Sequence, residues 1–252
     1  ARHHIHLQFY IFEDDAIGRL LRDLLIDKAR QGVKIRLLYD DVGCWQVDSM
    51  FYDQMLCEGI EVQSFLKVRF PRFTSKVNYR NHRKIAIIDG RIGFIGGMNI
   101  AERYIKGFSW GIWRDTHVRM EGKGVYGLQS AFLTEWFAID RTLLTSAEYF
   151  PKMKDNGSAI AQVVTSDPVG EWHEIMHGLT PEMIAEIKDA SGCKVVVVTM
   201  GPPPAEGMLR ELIAMGADEG VLVSGREFGG SDTFATSQIL AAAIKNIGVD
   251  AD

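Results

Sequence analysis

Cysteine is scarce. Cys44, Cys57 and Cys193 are the three in 252 residues, and no two of them stand at a CxxC spacing. That argues against a disulfide framework and against a zinc knuckle, and leaves three ordinary thiols in a reducing compartment. No run approaches the ~20 apolar residues that a membrane-spanning helix needs. No secretory leader is visible either, because the first residues, ARHHIHLQFYIFEDD, already have the pattern of a folded strand. An initiating Met is missing and the chain opens inside an element, so a piece of a longer protein is expected. Low-complexity tracts and internal repeats are absent. With 46% hydrophobic and 24% charged residues, disorder is excluded.

The formal net charge is −5, unevenly placed. Residues 1–179 carry 23 Lys and Arg against 22 Asp and Glu, whereas residues 180–252 carry 5 against 11. Such a shift suggests two parts of different history. In the first, residues 4–12 have a strand composition and Asp14 or Asp15 can cap the next element. Ile17, Leu20, Leu21, Leu24, Leu25 and Ala29 then recur at helical spacing up to Gly32. Strands at 33–39 and 60–65 with a helix at 47–58 between them complete a β-α-β-α-β rhythm, which implies a parallel or mixed sheet covered by helices. Strands at 84–88 and 91–95 meet at Asp89-Gly90, a hairpin signal. A strand from Trp113 to Met120, an apolar helix at 123–138, a strand at 159–165 and a helix start at 171–178 follow. Beyond about residue 180 come helices at 181–189, 204–215 and 231–246 and strands at 194–199 and 220–224.

The strongest chemical signal is Asn81-His82-Arg83-Lys84-Ile85-Ala86-Ile87-Ile88-Asp89, continuing to Gly96-Gly97-Met98-Asn99. On a strand, residues two apart share a face, so His82 and Lys84 would project together. A neutral imidazole is a competent nucleophile, and a covalent step divides a hard displacement into two easier ones. A neighbouring cation can hold a phosphate and offset charge that develops during attack. Asp89 could orient an imidazole by hydrogen bonding. Gly96 and Gly97 would let the backbone approach a ligand, and Asn99 offers a neutral donor to phosphate oxygen.

This pattern, H-x-K-x(4)-D-x(6)-G-G-x-N, resembles the HKD motif of the phospholipase D superfamily. The segments HIHLQFYIFEDDAIGRLL, VKIRLLYDDVG, FTSKVNYRNHRK, GFIGGMNIAERY and WRDTHVRMEG extend the resemblance, to cardiolipin synthases in particular, over nearly all of residues 1–179. The resemblance implies a phospholipase-D-like α/β domain with a mixed sheet flanked by helices. It implies His82 as nucleophile, Lys84 as phosphate ligand and Asp89 as orienting carboxylate, with Arg80, Gly97 and Asn99 on the substrate phosphate. It further implies a phosphatidyl-histidine intermediate formed from phosphatidylglycerol, with no metal. Tyr39 and Asp40, at the end of the second strand, would line the pocket. Family members use two HKD motifs, the second His serving as general acid. This sequence has one, so a homodimer is expected to complete the site.

Lys67, Arg69, Arg72, Lys76, Arg80, Arg83 and Lys84 follow one another without an acidic residue, interleaved with Phe65, Leu66, Phe70 and Phe73. Such a segment suits an anionic membrane surface. Nucleic acid is a rival ligand, which the near-neutral charge of residues 1–179 disfavours. A peripheral membrane location on the bacterial cytoplasmic side is therefore expected. His173-Glu174-Ile175-Met176-His177 spells H-E-x-x-H, but an ordinary amphipathic helix accounts for it better than zinc does.

Residues 180–252 resemble another family, the beta subunit of electron transfer flavoprotein, through VVVVTMGPPP, LIAMGAD and the helix after SDT. The resemblance implies a small partial α/β segment of nucleotide-binding type, with AMP beside Met200 as a candidate ligand. Its first strand and later glycine-bearing segment are missing here, which favours a passenger segment. Three alternatives to a phosphatidyltransferase stand open: a dimeric endonuclease of the same superfamily, an AMP-binding electron-transfer module with an inert front, and an inactive product that only binds membranes.

Overall fold

The computed structural model describes residues 1–65, 67, 80–107, 111, 113–154, 159, 161, 163–165, 174–228 and 233–248. The chain forms two compact units, Ala1–Val163 and Val164–Asp252.

The front unit is built on a six-stranded mixed sheet. In chain order its elements are β1 (His4–Phe9), α1 (Ala16–Arg30), β2 (Lys34–Asp40), α2 (Ser49–Cys57), β3 (Glu61–Phe65), β4 (Ile85–Ile88), β5 (Ile92–Gly96), α3 (Arg103–Lys106), β6 (His117–Glu121) and α4 (Val125–Asp140). The sheet order is β3-β2-β1-β4-β5-β6. The strands β1, β2 and β3 are parallel, each crossover supplied by a helix, while β4, β5 and β6 join antiparallel. Asp15 caps α1, its carboxylate accepting from Ile17 and Gly18 N–H, and Gly32 at φ 87° ends the run. Asp48 caps α2 in the same way.

Strand alternation sorts the core into two layers. Ile5, Leu7 and Phe9 of β1 and Ile35 and Leu37 of β2 pack with Leu25 of α1 and Phe51 and Met55 of α2. On the other face, Leu38, Ile85 and Ile87 pack under Leu128, Phe132 and Trp136 of α4. Those three α4 residues lie at i, i+4 and i+8, the side expected from the sequence. His4 and His6 belong to this second face and are buried there with Gln129 and Arg36.

The hairpin between β4 and β5 turns at Asp89 and Gly90, with φ of 55° and 62°, closed by Arg91 N–H donating to Ile88 O. Two successive residues at positive φ match the strand twist, which is why Asp-Gly stands there. The last strand is shorter than expected. It begins at His117, because Asp115 turns its carboxylate onto Thr116 N–H and Trp113 Nε1–H and holds the preceding chain out of the ladder. The strand expected at 159–165 does not form at the described residues of that stretch. Val163 instead packs against Gly127 of α4, in the space a Cβ would take.

The second unit contains α5 (Glu174–Ser191), β7 (Val196–Met200), α6 (Glu206–Ala214), β8 (Glu219–Val223) and α7 (Thr233–Ile247). The strands β7 and β8 are parallel neighbours. One helix replaces the two expected at 171–178 and 181–189: α5 runs through Pro181, which removes a single backbone donor without ending it. The sequence-based junction at 179/180 therefore falls inside α5.

Candidate active site

Strand directions create the site. One edge of the front sheet gathers the carboxyl ends of β1, β2, β3 and β5 and the amino ends of β4 and β6. The HKD segment enters β4 at that edge.

Asp40, the last residue of β2, is buried and organises the edge. Its Oδ1 accepts from Val42 N–H at 2.9 Å and Gly43 N–H at 3.0 Å, and its Oδ2 from Asn81 N–H at 3.3 Å. Arg80 pairs with it at 3.6 Å. A buried carboxylate with these partners joins the loop after β2 to the approach into β4. Asn81 Nδ2 donates to Glu135 of α4 at 3.2 Å, and the Arg83 guanidinium pairs with the same carboxylate. The backbone of His82 is thus held on both flanks.

The His82 side chain is exposed, its ring 4.7 Å from that of Tyr10. Partial burial and the Lys84 charge lower its pKa below 6.5, opposed by Asp40, so the imidazole is neutral at pH 7 and its lone pair is available. Lys84 is 3% exposed. Its Nζ donates to His82 O at 2.7 Å and lies 5.4 Å from the centroid of the Tyr10 ring. Burial brings the ammonium down to about 8, with Asp115 working the other way. The two residues come together as expected, but by another route. The strand β4 starts at Ile85, so strand alternation does not place them; Lys84 folds back on the carbonyl of His82 instead.

Other expected roles change. Asp89 lies beyond the far end of β4, on the order of 16 Å along the strand from Lys84. Its carboxylate accepts from the N–H groups of Arg2, His3 and His4 at 2.8, 2.8 and 3.0 Å. Burial works to raise its pKa, but these amides outweigh it and hold the carboxyl below its usual range. Asp89 therefore anchors the entry to β1 and does not orient His82. Asn99 is 4% exposed, its Oδ1 accepting from Ile11 N–H at 2.9 Å and its Nδ2 donating to the Tyr104 hydroxyl at 2.5 Å. It fastens the end of β5 to the chain after β1 rather than presenting a free amide. The glycine pair serves packing as well. A Cβ on Gly96 would lie 2.3 Å from Thr116 O, and one on Gly97 would lie 1.9 Å from Asp115 Oδ1. The missing side chains admit β6 and the Asp115 carboxylate. Arg80 reaches the edge through Asp40. Met200 ends β7 in the second unit, half-buried.

Two members of the site lay outside the sequence pattern. Tyr10 packs against both His82 and Lys84, and Asp115 faces Lys84. Neither has a spacing rule that links it to the motif; only the strand order brings it there. Of the basic segment, residues 66 and 68–79 lie outside the described residues. The H-E-x-x-H stretch does so as well, at residue 173 and at the side chains of 174–177.

Residues 1–108, within the front unit, match the family model for the cardiolipin synthase PLD-like domain. Residues 185–251 match that for the electron transfer flavoprotein domain. Over 191 residues the chain is 39% identical to a cardiolipin synthase of Geobacillus kaustophilus, covering 75% of this chain and 38% of that protein. Over 192 residues it is 38% identical to the major cardiolipin synthase of Bacillus subtilis, covering 75% and 39%. The chain thus spans under two fifths of the length of these curated relatives. Its fold is similar to that of a phosphatidylserine synthase from Haemophilus influenzae, with a TM-score of 0.53 at 12% identity, over 98% of this chain and 64% of that one.

Proposed function

We propose that the front unit is one catalytic half of a phosphatidyltransferase of cardiolipin synthase type. The observation that carries this reading is a neutral imidazole beside a buried ammonium at the strand-end edge. The His82 nitrogen attacks the phosphorus of phosphatidylglycerol, a P–N bond forms, and the P–O bond to the glycerol headgroup breaks. The departing oxygen takes a proton from a general acid. The hydroxyl of a second phosphatidylglycerol then attacks the phosphatidyl-histidine, giving up its proton to the same group as the P–N bond breaks. Lys84 offsets phosphoryl charge in both steps. The general acid is the same imidazole of a second copy of the chain, in its protonated form, paired about a two-fold axis so that the two rings share one proton, since one HKD segment supplies one imidazole. The protein works peripherally at an anionic membrane, because its substrate resides there; among the described residues no helix is long and apolar enough to cross one.

The test joins light-scattering mass to phosphatidylglycerol turnover, for the wild type and His82→Ala. An active dimer silenced by the substitution is the expected result. A monomer without turnover would refute the proposal.

A further inference from the structure

Among the described residues, three tryptophans occur. Trp136 is buried under the sheet, while Trp45 is 64% and Trp113 39% exposed. Both exposed rings stand at the edge that carries His82. Trp45 lies in the loop after β2 and lines a cleft of about 690 Å³ together with Arg103 of α3. Two residues along that one-turn helix, Ile105 is 62% exposed. Tyr104, between them, meets the Trp113 ring edge-on at 5.3 Å. Trp45 thus borders the cleft that α3 also lines, and α3 in turn touches Trp113. Exposed leucines elsewhere, such as Leu20 and Leu24, lie on α1 at the flank of the sheet.

Single exposed apolar residues are ordinary, but two tryptophans and an isoleucine along one rim are not. The indole ring, apolar with one N–H, is the side chain that favours a membrane–water interface. The charges fit such a surface. Lys67 and Arg114 are exposed on the same edge. The acids of the cleft are partnered within the protein: Glu13 with Arg103 at 2.5 Å, Asp14 with Arg19 at 2.6 Å, and Asp15 and Asp48 on helix amides.

We infer that Trp45, Ile105 and Trp113 form the rim by which the front unit seats on a lipid bilayer, their side chains entering the interface around the site. The choice of a lipid surface rests on the transferase reading. Seated this way, His82 and Lys84 face the headgroup layer, and a phosphodiester reaches the imidazole without leaving the membrane.

The test uses the whole chain, with vesicles of phosphatidylglycerol mixed with acyl-brominated phosphatidylcholine. The bromine atoms should quench tryptophan fluorescence. The double variant W45S/I105S should bind these vesicles about tenfold more weakly for each side chain removed, as expected for apolar groups returned to water. Neither residue touches the reacting groups, so turnover of a short-chain, monomeric phosphatidylglycerol should be unchanged. Wild-type affinity in W45S/I105S, or vesicle binding that shows no quenching and vanishes in salt, would overturn the inference. Vesicle binding weakened by the variant in a protein without turnover would uphold it and sink the transferase reading instead.

Discussion

Lowering the pH from 7 to 5 should destabilise the front unit through His6. The ring is fully buried, stacks on Phe132 at 4.5 Å, and receives Gln129 Nε2 at 2.8 Å on Nδ1. Its Nε2 faces the Arg36 guanidinium at 3.5 Å. Protonation would put a second N–H on Nδ1, against the Gln129 amide that donates there, and a full charge beside the Arg36 guanidinium. Burial first, then His4 and Arg36, push its pKa from 6.5 to about 2. The sign follows from linkage. Below pH 6.5 the unfolded chain takes up a proton that the folded chain refuses, so stability is complete above 6.5 and is lost as the pH falls towards 2. Each pH unit costs about 1.4 kcal/mol, or about 2 kcal/mol at pH 5. That is a large share of the ~5–15 kcal/mol that holds a domain folded. Urea unfolding at pH 7 and pH 5, followed by tryptophan fluorescence, measures it. In His6→Leu the loss between the two pH values should shrink by about 2 kcal/mol, leaving a residue from His4, whose pKa burial also lowers. An equal loss in variant and wild type would refute the assignment.

Turnover should follow a bell in pH, rising as the attacking His82 becomes neutral and falling as the partner imidazole and then, near 8, Lys84 lose their protons; Lys84→Met should remove the part of the alkaline limb near 8 together with most of the activity. Asp89→Ala should cost about 1 kcal/mol, chiefly by removing the acceptor of the part-buried His4 amide, since water replaces it at Arg2 and His3, while kcat of the folded protein stays at the wild-type value; a large fall in kcat would restore Asp89 to the catalytic group. Gly96→Ala should lower Tm more than Gly97→Ala, because the first Cβ meets backbone and the second the carboxylate end of Asp115. Gly97→Ala should also move the alkaline limb to lower pH, since displacing Asp115 removes the charge that supports the Lys84 ammonium.

Much of the fold was legible because it is local. The alternating β1 sequence, the Asp15 cap, the Asp89-Gly90 turn and the stripe of Leu128, Phe132 and Trp136 each act through near neighbours, and each appears where expected. The helices expected at 171–178 and 181–189 are one because the neighbouring turns of α5 carry the single donor missing at Pro181. The site was half legible. The motif puts His82 and Lys84 side by side, as the structure does, but by a fold-back of Lys84 rather than strand alternation, while the polar groups of Asp89 and Asn99 and the space beside Gly97 are taken up by other parts of the chain.

By itself the sequence determined that an imidazole and an ammonium stand two residues apart, that a mixed sheet follows a β-α-β-α-β opening, and that the tail has another character. Tertiary structure alone decided which groups surround that pair. Tyr10, Asp40, Asp115 and Glu135 are 72, 42, 33 and 53 residues from His82 in the chain. Side-chain spacing rules reach only a few residues, whereas a sheet edge collects whatever its strand order delivers. Lys84 is drawn down to about 8 by burial against neighbours that no window around the motif contains.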